Sequence, residues 1–160
     1  MIKLVLLDID GVLTDGKVTV DAAGRESKTL DYRDIDAIFE LKRQGIPVGF
    51  LTGEATPLAR FFRKRFAPDF FRAGCKDKLA ALREILRETG LSADEVCYMG
   101  DSPRDLPVIR ALRYGACPSN AHAAVRQAAR LRLKARGGDG CVQELMEWVL
   151  DKRRTGHAKR

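Results

Sequence analysis

The chain has 160 residues, 45% hydrophobic and 32% charged, a balance that fits one globular domain with a sizeable core and excludes an intrinsically disordered chain. No apolar run approaches the roughly 20 residues of a spanning helix, and the apolar start is cut off at Asp8 without a signal-peptide pattern, so a cytoplasmic protein with no membrane contact is expected. A net charge of +7 leaves open a nucleic-acid partner or small anionic substrates.

Leu4-Val5-Leu6-Leu7 is a continuous apolar run, as in a strand buried on both faces of a parallel sheet, and it runs straight into Asp8-Ile9-Asp10-Gly11. Lys17–Val20 and Glu26–Leu30, either side of Asp21-Ala22-Ala23-Gly24, read as a β-hairpin. Asp34–Gln44 has helical periodicity ending at Gly45. Ile46–Leu51 is a second apolar strand, closed by Thr52-Gly53, and a helix from Thr56 to Phe66 follows with Pro57 in its first turn. Within that helix Phe62 and Phe66 share one face, while Arg60, Lys64 and others are free to be solvated. An amphipathic helix is therefore favoured over a stacking platform for single-stranded nucleic acid.

Phe70-Phe71 predicts a short strand, Lys76–Thr89 a helix stopping before Gly90, and Glu95–Met99 a strand ending at Gly100-Asp101. A short helix over Leu106–Leu112, a strand over Gly115–Cys117 and a helix over Ala121–Ala129 come next. The glycine-rich loop Arg136–Gly140 then precedes a last helix, Cys141–Leu150. Residues 151–160 are expected to form a mobile basic tail after a single domain over 1–150. Cys75, Cys97, Cys117 and Cys141 match neither a zinc nor a redox spacing and are expected to be reduced. Alternation of short apolar strands with helices implies an α/β, doubly wound (Rossmann-like) parallel sheet in three layers. Asp8-x-Asp10, Thr52-Gly53 and Gly100-Asp101 all fall at strand carboxyl ends, the edge where such sheets bind ligands.

The chemistry starts from the two aspartates. If extended geometry persists to Asp10, residues two apart point the same way and both carboxylates enter one crevice. Like charges so close call for a cation or a shared proton. The plainer alternative is an acidic turn after a strand. A carboxylate at a strand mouth can attack phosphorus and form an acyl phosphate. A second one can protonate the leaving alcohol and then activate water. Mg²⁺ suits an all-oxygen site that also holds phosphate. Asp8, Asp101 and a carbonyl near Asp10 would supply ligands, with Asp105 adding one through water or orienting the others. Thr52 and Gly53 offer a hydroxyl and an N–H to a phosphate oxygen, and Lys76 or Lys78 a positive charge.

In order and placement these residues resemble the haloacid dehalogenase superfamily over nearly the whole chain. Asp8-x-Asp10-Gly11-Val12 is similar to its first motif, Thr52 to the second, Lys78 to the third and Gly100-Asp101-x-x-x-Asp105 to the fourth. The resemblance implies Asp8 as nucleophile, Asp10 as acid/base, Thr52 and Lys78 as phosphate holders, and Asp8, Asp10, Asp101 and Asp105 around Mg²⁺. It narrows to the capless branch of 3-deoxy-D-manno-octulosonate 8-phosphate and 2-keto-3-deoxynononate 9-phosphate phosphatases. The stretch Leu13-Thr14-Asp15-Gly16, the hairpin, and Arg136-Gly137-Gly138-Asp139-Gly140-Cys141-Val142-Gln143-Glu144 carry that narrower likeness. It implies a phosphorylated sugar acid as substrate, no cap domain, and a homotetramer in which the hairpin acts as a flap.

Ser102 stands where the branch often has a second aspartate, and Glu54 where the octulosonate enzymes carry arginine and the nononate enzyme glutamate. By that likeness Gly53, Glu54 and Arg65 would contact the sugar acid. Glu54 reads equally as an acid favoured by a helix N-terminus. Two other readings stay open: a phosphatase of another small ester or nucleotide, and a non-catalytic partner or nucleic-acid-binding domain in which the acids are vestigial. The complete set of catalytic residue types argues against the last.

Overall fold

The computed structural model describes residues 1–157, with side chains through Thr155. Six parallel strands form the central sheet, in the order β5-β4-β1-β6-β7-β8. They are β1 (Leu4–Leu7), β4 (Val48–Leu51), β5 (Phe70–Arg72), β6 (Val96–Met99), β7 (Tyr114–Cys117) and β8 (Leu131–Arg132); β2 (Thr19–Val20) and β3 (Glu26–Ser27) form the separate antiparallel hairpin. The α/β doubly wound expectation holds. The sheet has one strand more than the sequence suggests, because β8 is two residues long in an Arg- and Leu-rich stretch with no apolar run.

Alternation along each strand divides the core in two. Val5, Leu7, Val48, Phe50, Cys97 and Met99 face α1 (Tyr32–Arg43), α2 (Pro57–Phe66) and α6 (Cys141–His157). Leu4, Leu6, Leu51, Val96 and Tyr98 face α3 (Lys78–Thr89), α4 (Leu106–Ala111) and α5 (Ala123–Ala128). Both faces are covered, so β1, β4 and β6 are buried at every position, as their unbroken apolar runs imply. Caps set the helix starts: the side chains of Asp31, Thr56 and Asp77 accept backbone N–H groups at the N-termini of α1, α2 and α3. Gly90 ends α3 in the left-handed conformation.

Helix α2 buries Phe62 and Phe66 and exposes Arg60, Arg63, Lys64 and Arg65, as an amphipathic helix should. The last helix runs past Leu150 to His157, so residues 151–157, expected in a mobile tail, are helical. Arg153 donates from Nη1 to the Gln44 carbonyl at 3.0 Å and Lys152 lies over the Trp148 ring, contacts that extend α6 along its own turns and onto the end of α1. Lys159 and Arg160 of the expected tail lie outside the described residues. All four cysteines are free thiols. No described helix is long and apolar enough to cross a membrane.

Candidate active site

Chain order reverses at β1, which pairs with β4 on one side and β6 on the other, so a crevice opens beyond their carboxyl ends. A cavity of about 280 Å³ occupies it, lined by Asp8, Asp10, Gly16, Thr52, Gly53, Glu54, Lys78, Asp101, Ser102 and Arg104. All four separate sequence signatures meet there. The first does so by a different route from the one expected. Strand geometry stops at Leu7, and the Ile9 carbonyl then accepts the amides of Val12, Leu13 and Thr14 in a tight turn. Asp10 therefore lines the cavity from a turn and not from a continued strand.

Gly11 makes that turn possible. Its φ is +85°, and a Cβ there would stand 2.0 Å from Asp101 Oδ2. Gly100 serves the other wall, since its Cβ would lie 2.4 Å from Asp105 Cγ.

Lys78 is the hub. Presented by the first residue of α3 and 4% exposed, its ammonium contacts Asp8 Oδ2 at 2.9 Å and Asp105 Oδ1 at 2.7 Å. Burial works against its charge, but the two aspartates hold its pKa above the usual lysine range. Asp105 is fully buried and its oxygens are engaged by five donors. Oδ1 accepts from Lys78 and from the Tyr98 hydroxyl at 2.6 Å. Oδ2 accepts from Asp101 N at 3.0 Å, Ser102 N at 2.9 Å and Ser102 Oγ at 3.0 Å. Burial pushes its pKa up, yet Lys78 and these donors more than offset it and the carboxylate stays ionised below the usual range.

Asp8 takes one bond from Ile9 N at 2.8 Å besides its pair with Lys78, and burial raises its pKa to about 7. Asp101 is pushed up to about 6, first by burial and then by the Asp105 charge. Its Oδ1 is buried with no hydrogen-bond partner among the described residues. Carboxylate oxygens of Asp8, Asp101 and Asp105 lie within 4.8 Å of one another. An orphaned buried oxygen, two acids that resist ionisation and an all-oxygen donor set fit a hard divalent cation. The five donors on Asp105 favour the orienting role over ligation through water, the second of the two roles expected for it. The Asp10 carboxylate stands outside that group. Its Oδ1 pairs instead with Lys28 Nζ at 2.5 Å, just after β3 of the hairpin, and accepts the Thr14 hydroxyl at 3.5 Å.

Thr52 is 1% exposed, and its Oγ1 accepts the Glu54 amide at 3.1 Å. Gly53 and Glu54 line the cavity as expected. Arg65 does not: it is exposed on the last turn of α2 and absent from the lining. Phe62 and Phe66 take the buried face of α2, and Arg65, on its flank, is solvated. Sequence reasoning missed Lys28, Tyr98 and Arg104. Tyr98 was hidden in an apolar strand and Lys28 in the hairpin. Arg104 lay in plain view between Asp101 and Asp105, the one signal that marked it.

Residues 64–145 match the model of the haloacid dehalogenase-like hydrolase family. Over 149 residues the chain is 32% identical to the 3-deoxy-D-manno-octulosonate 8-phosphate phosphatase KdsC of Haemophilus influenzae, covering 93% of this chain and 83% of that protein. A probable YrbI family phosphatase from Pseudomonas syringae superposes with a TM-score of 0.91 at 34% identity, covering 98% of this chain and 91% of that one. The Moraxella catarrhalis 3-deoxy-D-manno-octulosonate 8-phosphate phosphatase, solved with magnesium, phosphate and the sugar acid, superposes at 0.89 with 29% identity, covering 94% and 86%. With the four motifs gathered in one cavity and likeness running through both sequence and fold, the chain belongs to the haloacid dehalogenase-like hydrolases and is a phosphoric monoester hydrolase.

Proposed function

We propose that the chain is a Mg²⁺-dependent phosphatase of a 2-keto-3-deoxy sugar acid phosphate, with 3-deoxy-D-manno-octulosonate 8-phosphate as the substrate. The observation that carries the chemistry is the buried Asp8–Lys78–Asp105 chain beside the unpartnered oxygen of Asp101. The named relatives from H. influenzae and M. catarrhalis support the substrate.

In this reading Asp8 attacks phosphorus in line with the ester oxygen. The new Asp8 O–P bond forms as the ester O–P bond breaks, and Asp10 delivers its proton to the departing sugar alkoxide. Asp10 then takes a proton from water, which attacks the aspartyl phosphate and releases inorganic phosphate with Asp8 restored. Lys78 offsets charge on Asp8 and on the equatorial oxygens, and Thr52 with Gly53 holds one of those oxygens. Asp8, Asp101 and the backbone carbonyl at Asp10 would hold the cation, with Asp105 orienting Lys78 and the Asp101 amide. When bound, Mg²⁺ supplies positive charge that keeps Asp8 ionised and screens it from the phosphate. Lys28, 2.5 Å from Asp10 Oδ1, fixes where the acid/base group stands at the cavity edge.

Glu54 at the cavity mouth favours a second substrate, 2-keto-3-deoxynononate 9-phosphate, whose longer polyol brings one more hydroxyl for a carboxylate to accept. The same reading takes residues 1–150 as one cytoplasmic hydrolase domain acting as a homotetramer. Val18 and Val20, 46% and 56% exposed on the hairpin, offer apolar surface for a neighbouring subunit. Asp8→Asn tests the chemistry. It should abolish phosphate release from either sugar acid phosphate with Mg²⁺ present, and release at the parent rate would refute Asp8 as nucleophile.

A further inference from the structure

We infer that Arg104 recognises the carboxylate of the substrate, at the end of the molecule remote from the phosphate ester. This deepens the sugar-acid reading above and rests on it. Two cations line the cavity, and they differ in their commitments. Lys78 is bound to Asp8 and Asp105 on the floor. Arg104 is exposed at the rim, and among the described residues no hydrogen bond or ion pair engages its guanidinium.

The backbone beneath it is firmly held. Arg104 is the middle residue of a single 3₁₀ turn, Pro103–Asp105, in which Pro103 fixes its own φ. The Ser102 amide and hydroxyl are both tied to Asp105 Oδ2. Nη1 stands 3.5 Å from where a Cβ on Gly53 would be, so the guanidinium lies over the backbone that follows β4. An unpaired guanidinium on a held turn, at the rim of a cavity whose other cation is committed to Asp8 and Asp105, is poised for an anion from outside the chain.

Depth decides which anion. Asp8, Thr52 and Lys78, at 5%, 1% and 4% exposure, form the floor where a phosphate would react, whereas Arg104 and Glu54 are exposed. A phosphate ester seated on the floor places its far end at the rim. There Glu54 accepts hydrogen bonds from hydroxyls but repels a carboxylate, whereas Arg104 attracts one and donates to it. A polyhydroxy acid carries both groups. Because Arg65 faces away from the cavity, Arg104 is the arginine placed to serve the acid.

The test compares Arg104→Met and Arg104→Lys with the parent on two substrates, 3-deoxy-D-manno-octulosonate 8-phosphate and the carboxylate-free p-nitrophenyl phosphate. Hydrolysis of the second is also inhibited with free 3-deoxy-D-manno-octulosonate and with its methyl ester. Arg104→Met should raise KM for the sugar acid phosphate and Ki for the free acid about ten- to a hundredfold, as loss of a charge-assisted bond does. It should leave kcat and KM for p-nitrophenyl phosphate, and Ki for the ester, within about twofold, and Arg104→Lys should restore part of the loss. An equal loss on p-nitrophenyl phosphate would move Arg104 to the phosphate and overturn the inference. So would an unchanged Ki for the acid, or a parent that binds acid and ester alike. A parent that hydrolyses p-nitrophenyl phosphate but not the sugar acid phosphate refutes the proposed substrate instead, while the acid-against-ester comparison still decides the role of Arg104.

Discussion

Replacing Lys78 by methionine removes the one cation between two buried carboxylates while keeping a side chain of similar length. Asp8 and Asp105 are 5% and 0% exposed, so neither can turn to water when its partner goes. Removing one member of a buried pair costs about 3–5 kcal/mol, because the charge left behind is uncompensated. Tm should fall by roughly 2–4 °C per kcal/mol in a chain of this size. The cost must depend on pH, and its sign follows from proton counting. In the parent, Asp8 with a pKa of about 7 holds a proton that the unfolded chain has lost above pH 4, so it lowers stability as pH rises across that window. Asp105 is depressed and works the other way, stabilising above its unfolded pKa and losing that contribution as pH falls. Without Lys78 both carboxylates titrate higher. The folded variant then retains more protons than the folded parent, and the gap between them widens by up to about 1.4 kcal/mol per pH unit for each additional proton. Urea unfolding in the presence of a chelator, at pH 5.5 and pH 8, measures this directly. A variant within 1 kcal/mol of the parent at pH 8, or one destabilised equally at both pH values, would refute the account of Lys78 as a buried charge hub.

Two further outcomes follow from the same geometry. Gly11→Ala forces an L side chain to φ +85° with its Cβ 2.0 Å from Asp101 Oδ2; it should cost about 1–2 kcal/mol from backbone strain alone. It should also abolish the rise in Tm on adding Mg²⁺, and a variant that keeps this rise would show that Asp101 need not stay where it is. Mg²⁺ itself must compete with protons on Asp8 and Asp101, with pKa values near 7 and 6. Its stabilisation of the parent in differential scanning fluorimetry should therefore be larger at pH 8 than at pH 5.5, whereas equal shifts would place the ion elsewhere.

Lys28 and Arg104 show why parts of the site were hidden. Lys28 lies 18 positions from Asp10 in an exposed hairpin, and nothing in Glu26–Leu30 distinguishes a lysine that folds back from one that is solvated. Arg104 sits between two motif aspartates, but its side chain joins the cavity only because the 3₁₀ turn at Pro103 aims it there. Arg65 failed for a different reason: at i+3 from Phe62 it flanks the apolar face, and only the structure shows it exposed and outside the cavity. β8 went unseen because a two-residue strand carries no periodicity.

Local covalent order was sufficient for the doubly wound architecture, since continuous apolar runs such as Leu4–Leu7 are stable only when covered on both faces. It was also sufficient to bring Asp8, Asp10, Thr52 and Asp101 to one edge, because strand carboxyl ends are where this topology gathers polar groups, whereas Lys78 was told from Lys76 only by the resemblance of its motif. Tertiary structure alone decided which oxygen of which aspartate is left without a partner, and which lysine neutralises which acid. Those depend on distances of 2.5–2.9 Å between residues far apart in the chain, set by how the turn after β1, the hairpin, the start of α3 and the turn after β6 pack together.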